Sequence, residues 1–271
     1  MSDLQIFALI RFAYPGLGGF QTEHETVEAR QAHLWAPARM RARLRSLEHV
    51  CLRTLARQTD PDFRALVVTG DALPQHWRGE LERIVSAVPQ AELIYQRPMN
   101  QRHAFEEIVN DRIDPNGPPV MQFRQDDDDG VGLRFIARCR ALFTDVASLW
   151  ARHGRLAIDF NQGYAFRPTA AGPLLEELAR THLGVAQALI LRPDIRRTAV
   201  HFPHHRVGLL MPSVTIPDAR MWLRGVDGTN DSRMDGQLER LRPATEVQIA
   251  DLTERFGLDL AALAASFVAE V

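Results

Sequence analysis

Four aspartates follow a short, mostly apolar stretch in Pro118-Pro119-Val120-Met121-Gln122-Phe123-Arg124-Gln125-Asp126-Asp127-Asp128-Asp129-Gly130. The apolar stretch predicts a strand, and the glycine predicts that the chain turns after the aspartates. Four adjacent like charges repel one another, and a divalent cation is the simplest group to relieve that repulsion. Hard cations such as Mg²⁺ and Mn²⁺ prefer carboxylate oxygens. The stretch therefore suggests a metal–phosphate site at a strand end, and the alternative is a solvated acidic loop.

Three more strands are predicted upstream, and helices separate them. Apolar runs predict strands at residues 4–12, 63–69 and 92–95, and helical spacing predicts helices at residues 39–57, 75–87, 102–112 and, after the aspartates, 135–150. This alternation predicts an α/β fold with a largely parallel sheet. Ligands of such sheets bind outside the carboxyl ends of the strands. We therefore expect Arg11, Asp71 and the aspartates to converge on one edge.

The rest of the chain has a less regular pattern. We predict two short strands within residues 155–166, a helix at 174–181, and short strands at 188–191, 199–202 and 207–211. Residues 245–256 and 258–271 have helical spacing. No repeat or clear linker separates domains, so a single domain over residues 1–271 is the simplest prediction.

Composition limits the function classes. The 271 residues carry 32 basic and 34 acidic side chains, for a net charge of −2, which gives no basic surface for nucleic acid. The two cysteines, Cys51 and Cys139, lie in predicted helices and are expected to be buried thiols. The N-terminus lacks a basic signal region, and no apolar run approaches the ~18 residues of a membrane span. We therefore expect a cytoplasmic protein.

Three segments together resemble glycosyltransferases of the GT-A type. Residues 58–71, Gln-Thr-Asp-Pro-Asp-Phe-Arg-Ala-Leu-Val-Val-Thr-Gly-Asp, resemble the turn and second strand of family-2 members, and residues 120–129 resemble their strand ending in Asp-x-Asp. With Ile10-Arg11-Phe12 and Gly18-Gly19-Phe20, they resemble more narrowly the bacterial family described as putative rhamnosyltransferases.

The resemblance implies a fold, a donor and a cofactor. It implies a GT-A-like, Rossmann-like three-layer sandwich, in which residues 1–150 form the nucleotide-sugar donor half and residues 151–271 form the acceptor half with C-terminal helices. It implies Mn²⁺ or Mg²⁺, a nucleotide-sugar donor, and a saccharide, lipid-linked or other small acceptor. The rhamnosyl label comes from the family name alone.

The resemblance also assigns roles within the aspartate stretch. Aligned on Asp-x-Asp-Asp, Asp126 would contact ribose or a metal-bound water and Asp128 would ligate the metal. The alternative register uses Asp127, as a donor contact, and Asp129, as a metal ligand. Both registers remain open at this stage.

Other donor contacts are expected from both halves of the chain. Arg11 follows the first strand and could fork onto a phosphate or stack on a base. Asp71 matches the acidic turn that meets the base or ribose in related enzymes. Asn230 and Arg233, in a polar, glycine-containing stretch, could face the diphosphate.

The last metal ligand and the base are the least constrained by the sequence. His204, in Pro203-His204-His205, is a candidate for the late histidine that completes the metal shell in many GT-A enzymes. The expected histidine before Gly-x-Asn is replaced by Asp227, which could itself coordinate a cation. Asp159 and Asp231 are candidates for the base that takes the acceptor proton.

Two other functions remain as alternatives. A nucleotidyltransferase would also use carboxylates and Mg²⁺, but residues 16–19 contain no lysine or arginine for a basic phosphate loop. A catalytically inactive GT-A fold that serves as a binding module is the second alternative, because of Asp227.

Overall fold

The computed structural model describes residues 3–18, 24–226 and 236–267, without the side chains of Asp218 and Gln237. Its first half contains four parallel strands: β1 (Gln5–Arg11), β2 (Arg64–Gly70), β3 (Ala91–Gln96) and β4 (Val120–Asp126). They lie in the order β4-β1-β2-β3, so β1 has parallel neighbours on both sides. The four strands predicted from apolar runs are therefore confirmed.

Helices connect these strands and cover both faces of the sheet. They are α1 (Val27–Leu34), α2 (Pro37–Ser46), α3 (Leu52–Ala56), α4 (Gln75–Ser86), α5 (Gln101–Asn110), α6 (Phe135–Asp145) and α7 (Ala147–His153), with a π-helical segment, Leu47–Cys51, between α2 and α3. Both cysteines are buried free thiols, as expected.

Alternate residues of β1 belong to different cores. Ile6, Ala8 and Ile10 join the core with α2, α3, α4 and α6, whereas Phe7 and Leu9 join the core with α5. Successive side chains of a strand point to opposite faces, so a strand buried on both sides is apolar throughout. The predicted GT-A-like three-layer architecture is confirmed.

The second half extends the same sheet with mostly antiparallel pairs. Its strands are β5 (Gly130–Val131), β6 (Arg155–Arg167), β7 (Leu174–Ala179), β8 (Gln187–Leu191), β9 (Ser213–Gly225) and β10 (Arg242–Pro243). β8 pairs antiparallel with β4 and with β6, and β9 pairs parallel with β6 and antiparallel with β5. The start of β8 and the end of β9 therefore lie beside the aspartates. Short helices complete the fold: α8 (Val207–Leu210), α9 (Gln237–Arg240), α10 (Glu246–Glu254) and α11 (Leu260–Ala265).

Several predictions for this half were wrong. Residues 155–166 lie in one strand, and the predicted helix at 174–181 is β7. Its Leu-Leu-Glu-Glu-Leu-Ala sequence favours a helix, but pairing with β6 at six positions overrides that preference. Two predicted strands are helical instead: Ala199–His201 is a 3₁₀ turn and Val207–Leu210 is α8.

One close approach fixes β9 against β6. A Cβ on Gly163 would lie 2.2 Å from atoms of Trp222, so the strand crosses the indole where only glycine fits. The Trp222 Nε1–H donates to the Phe160 carbonyl oxygen at 2.8 Å. This contact holds β9 against β6, and the end of β9 lies beside the aspartates. None of the described helices is long and apolar enough to cross a membrane.

Candidate functional site

The four aspartates do not act as one cluster, because the chain turns within them. Asp126 is the last residue of β4, and it stands in register with Arg11 on β1. The Asp129 N–H donates to the Asp126 carbonyl oxygen at 3.0 Å. This hydrogen bond closes a turn, so the residues after Asp126 do not continue along the direction of β4.

Asp127 and Asp128 are bound by one arginine of α2. Arg43 Nη1 lies 2.7 Å from Asp127 Oδ1 and 3.1 Å from Asp128 Oδ2, and all three side chains are buried. Burial raises the pKa of Asp127 to about 7, against the opposing charge of Arg43. Arg43 therefore satisfies two of the four carboxylates within the protein.

Asp129 is held by the end of β9. Its Oδ1 accepts from the Gly225 N–H at 3.0 Å, and burial, with Asp128 and Asp126 nearby, raises its pKa well above the ordinary value. A Cβ on Gly225 would lie 2.5 Å from Asp128 Cγ. Gly225 therefore allows β9 to pack directly on the aspartate turn.

Asp126 lines a small cavity with two arginines and a histidine. The cavity has a volume of about 90 Å³ and is lined by Asp126, Asp129, Arg124, Arg224, His204 and residues 183–185. Arg124 and Asp126 are two positions apart on β4 and so share one face of the sheet. The cavity lies at the carboxyl end of β4, as a ligand site of this fold class should.

The charges in this cavity favour an anion. Burial raises the pKa of the Asp126 carboxyl, but guanidinium groups, Arg124 and Arg11 most strongly, outweigh burial and hold that pKa below its ordinary value. Within the described part of the chain, the side chains of Arg124 and Arg224 make no hydrogen bond or ion pair. Burial also lowers the pKa of Arg124. Among the described residues, the N–H donors of Arg124 and Arg224 are therefore available to an anionic ligand, beside the carboxylates of Asp126 and Asp129.

His204 is held in one orientation. Its Nδ1 lies 2.7 Å from the His182 carbonyl oxygen, and a carbonyl only accepts, so Nδ1 carries the proton. Nε2 is then the nitrogen available to a ligand. Gly184 packs on the ring, because a Cβ there would lie 3.2 Å from His204 Cγ. Burial lowers the pKa of His204, and the neighbouring Arg124 charge adds to this effect.

Asp159, a candidate base, instead holds the loop before β8. Its residue surface is fully buried, and its two carboxylate oxygens accept from the His182 N–H at 3.1 and 3.0 Å. His182 has a φ of +55°, an uncommon left-handed conformation that needs such support. Asp159 lines none of the cavities around Asp126 that the described residues form. These contacts make Asp159 a structural tie, and its role as the base stays a prediction.

Arg11 and Asp71 lie on the same sheet edge as Asp126. Arg11 Nη1 donates to Gln101 Oε1 at 3.0 Å, which ties β1 to the start of α5. Asp71 directly follows β2, and its side chain is exposed. The predicted convergence of these strand ends is therefore seen, with Arg11 adjacent to Asp126 and Asp71 one strand further.

The charged cavity continues along the sheet edge. Arg124 also lines a cavity of about 260 Å³ formed with Gly18, Val200, Phe202, Pro203 and the start of α5. There Asn100 Oδ1 accepts from the Arg102 and His103 N–H groups and so caps α5. Arg124 is therefore the side chain that joins the two spaces.

Four candidates from the sequence lie outside the described residues: Asp227, Asn230, Asp231 and Arg233. Their roles stay predictions. The sequence analysis missed Arg43, Arg124 and Arg224. For Arg124 a signal was present, since it stands two residues before Asp126 and alternation places both on one face.

The GT-A resemblance implies a divalent cation, and the described residues do not fit one. Asp127 and Asp128 pair with Arg43, and Asp129 accepts from Gly225 through one of its two oxygens. Asp126 and Asp129 are therefore the carboxylates that line the cavity. No three histidine, cysteine, aspartate or glutamate side chains in the described ranges are placed to share a metal ion. His204, Asp126 and Asp129 line one cavity, but these three side chains do not form such a group.

Comparison with solved structures finds distant matches. An S. aureus TarS fragment, residues 1–349, matches in complex with UDP (TM-score 0.44, 11% identity, 83% of this chain and 61% of that chain). Its UDP-GlcNAc complex matches with a TM-score of 0.43 at 9% identity, over 84% and 60% of the two chains. The glycosyltransferase GlyE of Streptococcus pneumoniae TIGR4 matches with a TM-score of 0.38 at 9% identity, over 99% of this chain and 64% of that chain. The chain thus spans about 60% of the length of the TarS fragment.

Comparison with curated proteins gives no match. A family model does match, and it covers residues 5–237, which include both halves of the sheet and every site residue discussed above. The chain belongs to the family described as putative rhamnosyl transferase.

Proposed function

We propose that this protein transfers a sugar from a nucleotide-sugar donor to a hydroxyl group of a small acceptor. One observation carries the proposal: the cavity beyond β4 is lined by Asp126, Arg124 and Arg224, and the two arginine side chains make no hydrogen bond or ion pair within the described residues. A diphosphate is an anion of suitable charge, and arginine forks match phosphate oxygens. Membership of a glycosyltransferase family supplies the reaction class.

The proposed site divides the donor between the two joined cavities. The diphosphate lies against Arg124 and Arg224, with His204 Nε2 at the same wall. The rest of the donor extends past Arg11 toward Asn100 and the start of α5, or toward Asp71. The acceptor, which we propose to be a saccharide or a lipid-linked sugar, approaches from the second half of the sheet.

The reaction is a group transfer to oxygen. The acceptor oxygen forms a bond to the anomeric carbon, and the bond from that carbon to the diphosphate breaks. Its electron pair stays on the diphosphate, and the hydroxyl proton is released to the solvent. Positive groups at the diphosphate stabilise the charge that develops there. No step of this proposal passes through a divalent cation; the sequence-based expectation of Mn²⁺ or Mg²⁺ stays a prediction.

The test is a panel of nucleotide sugars, including rhamnose donors because of the family description. Slow hydrolysis, with water as acceptor, is read by chromatography of the released nucleoside diphosphate. We expect one or a few donors to be hydrolysed, and Arg124→Gln to lose most of that rate while Arg64→Gln, at the opposite end of β2, keeps it. Release of pyrophosphate from a nucleoside triphosphate would instead indicate a nucleotidyltransferase. Binding of a donor without turnover, with or without added acceptors, would indicate an inactive binding module.

A further inference from the structure

The aspartates that suggest a metal site are used by the protein itself. One guanidinium group, that of Arg43, lies within 3.1 Å of both Asp127 and Asp128. Asp129 accepts from a main-chain N–H of β9, at a point where a Cβ would collide with Asp128. A cation bound by these three carboxylates would have to displace Arg43 and separate β9 from the turn. The positive charge that such a cation would supply is already present as Arg43, which does not line the cavity.

On the side of the turn that faces the cavity, the positive charges are two arginine side chains. Arg124 reaches it from β4 and Arg224 from the end of β9, so two different strands hold the two groups at one wall. Their side chains make no hydrogen bond or ion pair within the described ranges. Both arginines are half-buried. A charge partly removed from water without a partner is costly, so the pair is expected to have an anionic ligand. Asp126, which lines the same cavity, contributes a negative charge that reduces the repulsion between the two arginines.

Resting on the proposed function, we propose that Arg124 and Arg224 bind the leaving diphosphate directly and that the transfer needs no divalent cation. The bond from the anomeric carbon to the diphosphate oxygen breaks, and its electron pair stays on an oxygen that these guanidinium groups contact. Arginine suits this role because it stays charged and offers two parallel N–H donors to phosphate oxygens. A metal ion would perform the same task with carboxylate ligands.

Metal-free binding of inorganic pyrophosphate tests the proposal without any knowledge of the sugar or acceptor. The full chain is treated with EDTA, and binding of pyrophosphate, UDP and dTDP is measured by calorimetry in EDTA; UDP and dTDP are measured again with Mn²⁺. We expect binding in EDTA, with an affinity for the preferred nucleotide that Mn²⁺ changes less than threefold. Arg124→Gln and Arg224→Gln should each weaken binding roughly tenfold to a hundredfold, the usual range for a hydrogen bond to a charged group. Arg64→Gln, with its exposed ion pair to Glu92, should bind like the unmodified chain.

The outcomes separate this inference from the function on which it rests. Binding and donor hydrolysis that require Mn²⁺, and that Asp128→Asn abolishes, would overturn the inference and leave the glycosyltransferase in place. Absence of binding and of hydrolysis under both conditions would overturn both. Circular dichroism checks that each variant folds, and the comparison of EDTA with Mn²⁺ needs no variant at all.

Discussion

His204 donates its Nδ1 hydrogen to the carbonyl oxygen of His182 at 2.7 Å, and the His182 N–H in turn donates to both carboxylate oxygens of Asp159. The His204 ring, which lines the charged cavity, is thus oriented through His182 by the Asp159 carboxylate on β6. His182 itself has a left-handed backbone conformation. Gln187 Nε2 lies 2.8 Å from His182 Nδ1, so the side chain of His182 is held as well as its backbone. The structure therefore connects Asp159 to His204 through His182.

Two substitutions test whether Asp159 holds the loop around His182 in place or acts as the base of the reaction. Asp159→Ala removes both acceptors and leaves the half-buried His182 N–H unpaired, which costs at most about 1–3 kcal/mol of unfolding free energy. Asp159→Asn keeps one acceptor oxygen, so it should retain most of the stability and most of the donor hydrolysis. Urea unfolding and hydrolysis are measured on both variants. A fully stable Asp159→Asn variant with no turnover would show that Asp159 is the base after all.

The buried ion pairs of Arg43 with Asp127 and Asp128 should make one of the largest single contributions to the unfolding free energy. Arg43→Met leaves Asp127 and Asp128 buried together without their cation, and breaking a buried pair in this way costs about 3–5 kcal/mol. The matched control is Arg83→Met, which breaks the ion pair with Glu48 on the surface and should cost about 0–1 kcal/mol. Equal losses in urea unfolding for the two variants would contradict the buried bridge.

Gly225 and Gly79 form a second matched pair. A Cβ at Gly225 meets Asp128 Cγ at 2.5 Å, so Gly225→Ala must push β9 from the turn, with an expected loss of about 1–3 kcal/mol. A Cβ at Gly79, inside α4, meets nothing within 4 Å, so Gly79→Ala should gain about 0.5–1 kcal/mol from helix propensity. Thermal melting measures both. A neutral Gly225→Ala would mean that the turn and β9 are not in close contact.

The sequence was enough for the parallel half of the sheet because β1, β2 and β4 are almost wholly buried, so each is recognisable from a local apolar run. The residue pattern around Asp126 also predicted a ligand site at the correct edge. The partners of the other aspartates were not predictable, because Arg43 and Gly225 are 84 and 96 residues away from the groups that they bind. β7 was missed for a related reason: its leucines and glutamates favour a helix, and only pairing with β6 makes it a strand.

A pH-dependent prediction comes from the 3₁₀ turn that forms one wall of the larger cavity. His201 Nδ1 accepts from the Thr198 N–H at 3.1 Å, so the turn is capped by a neutral ring. Burial lowers the pKa of His201, while Glu106, 3.5 Å from Nε2, opposes this effect without reversing it. The unfolded chain therefore takes up a proton at this residue as the pH falls through about 6.5, before the folded chain does.

The contribution of His201 to stability is therefore complete above pH 6.5 and decreases as the pH falls toward the lowered pKa of the folded state. His201→Asn places an amide oxygen near the position of Nδ1 and keeps an acceptor that does not titrate. We expect the two proteins to have similar unfolding free energies at pH 7.5, and the variant to become the more stable of the two by pH 5.5. Urea unfolding at several pH values measures the difference. Because other titrating groups are shared by both proteins, they cancel in that difference, and a difference that stays constant with pH would show that His201 caps the turn equally well when protonated.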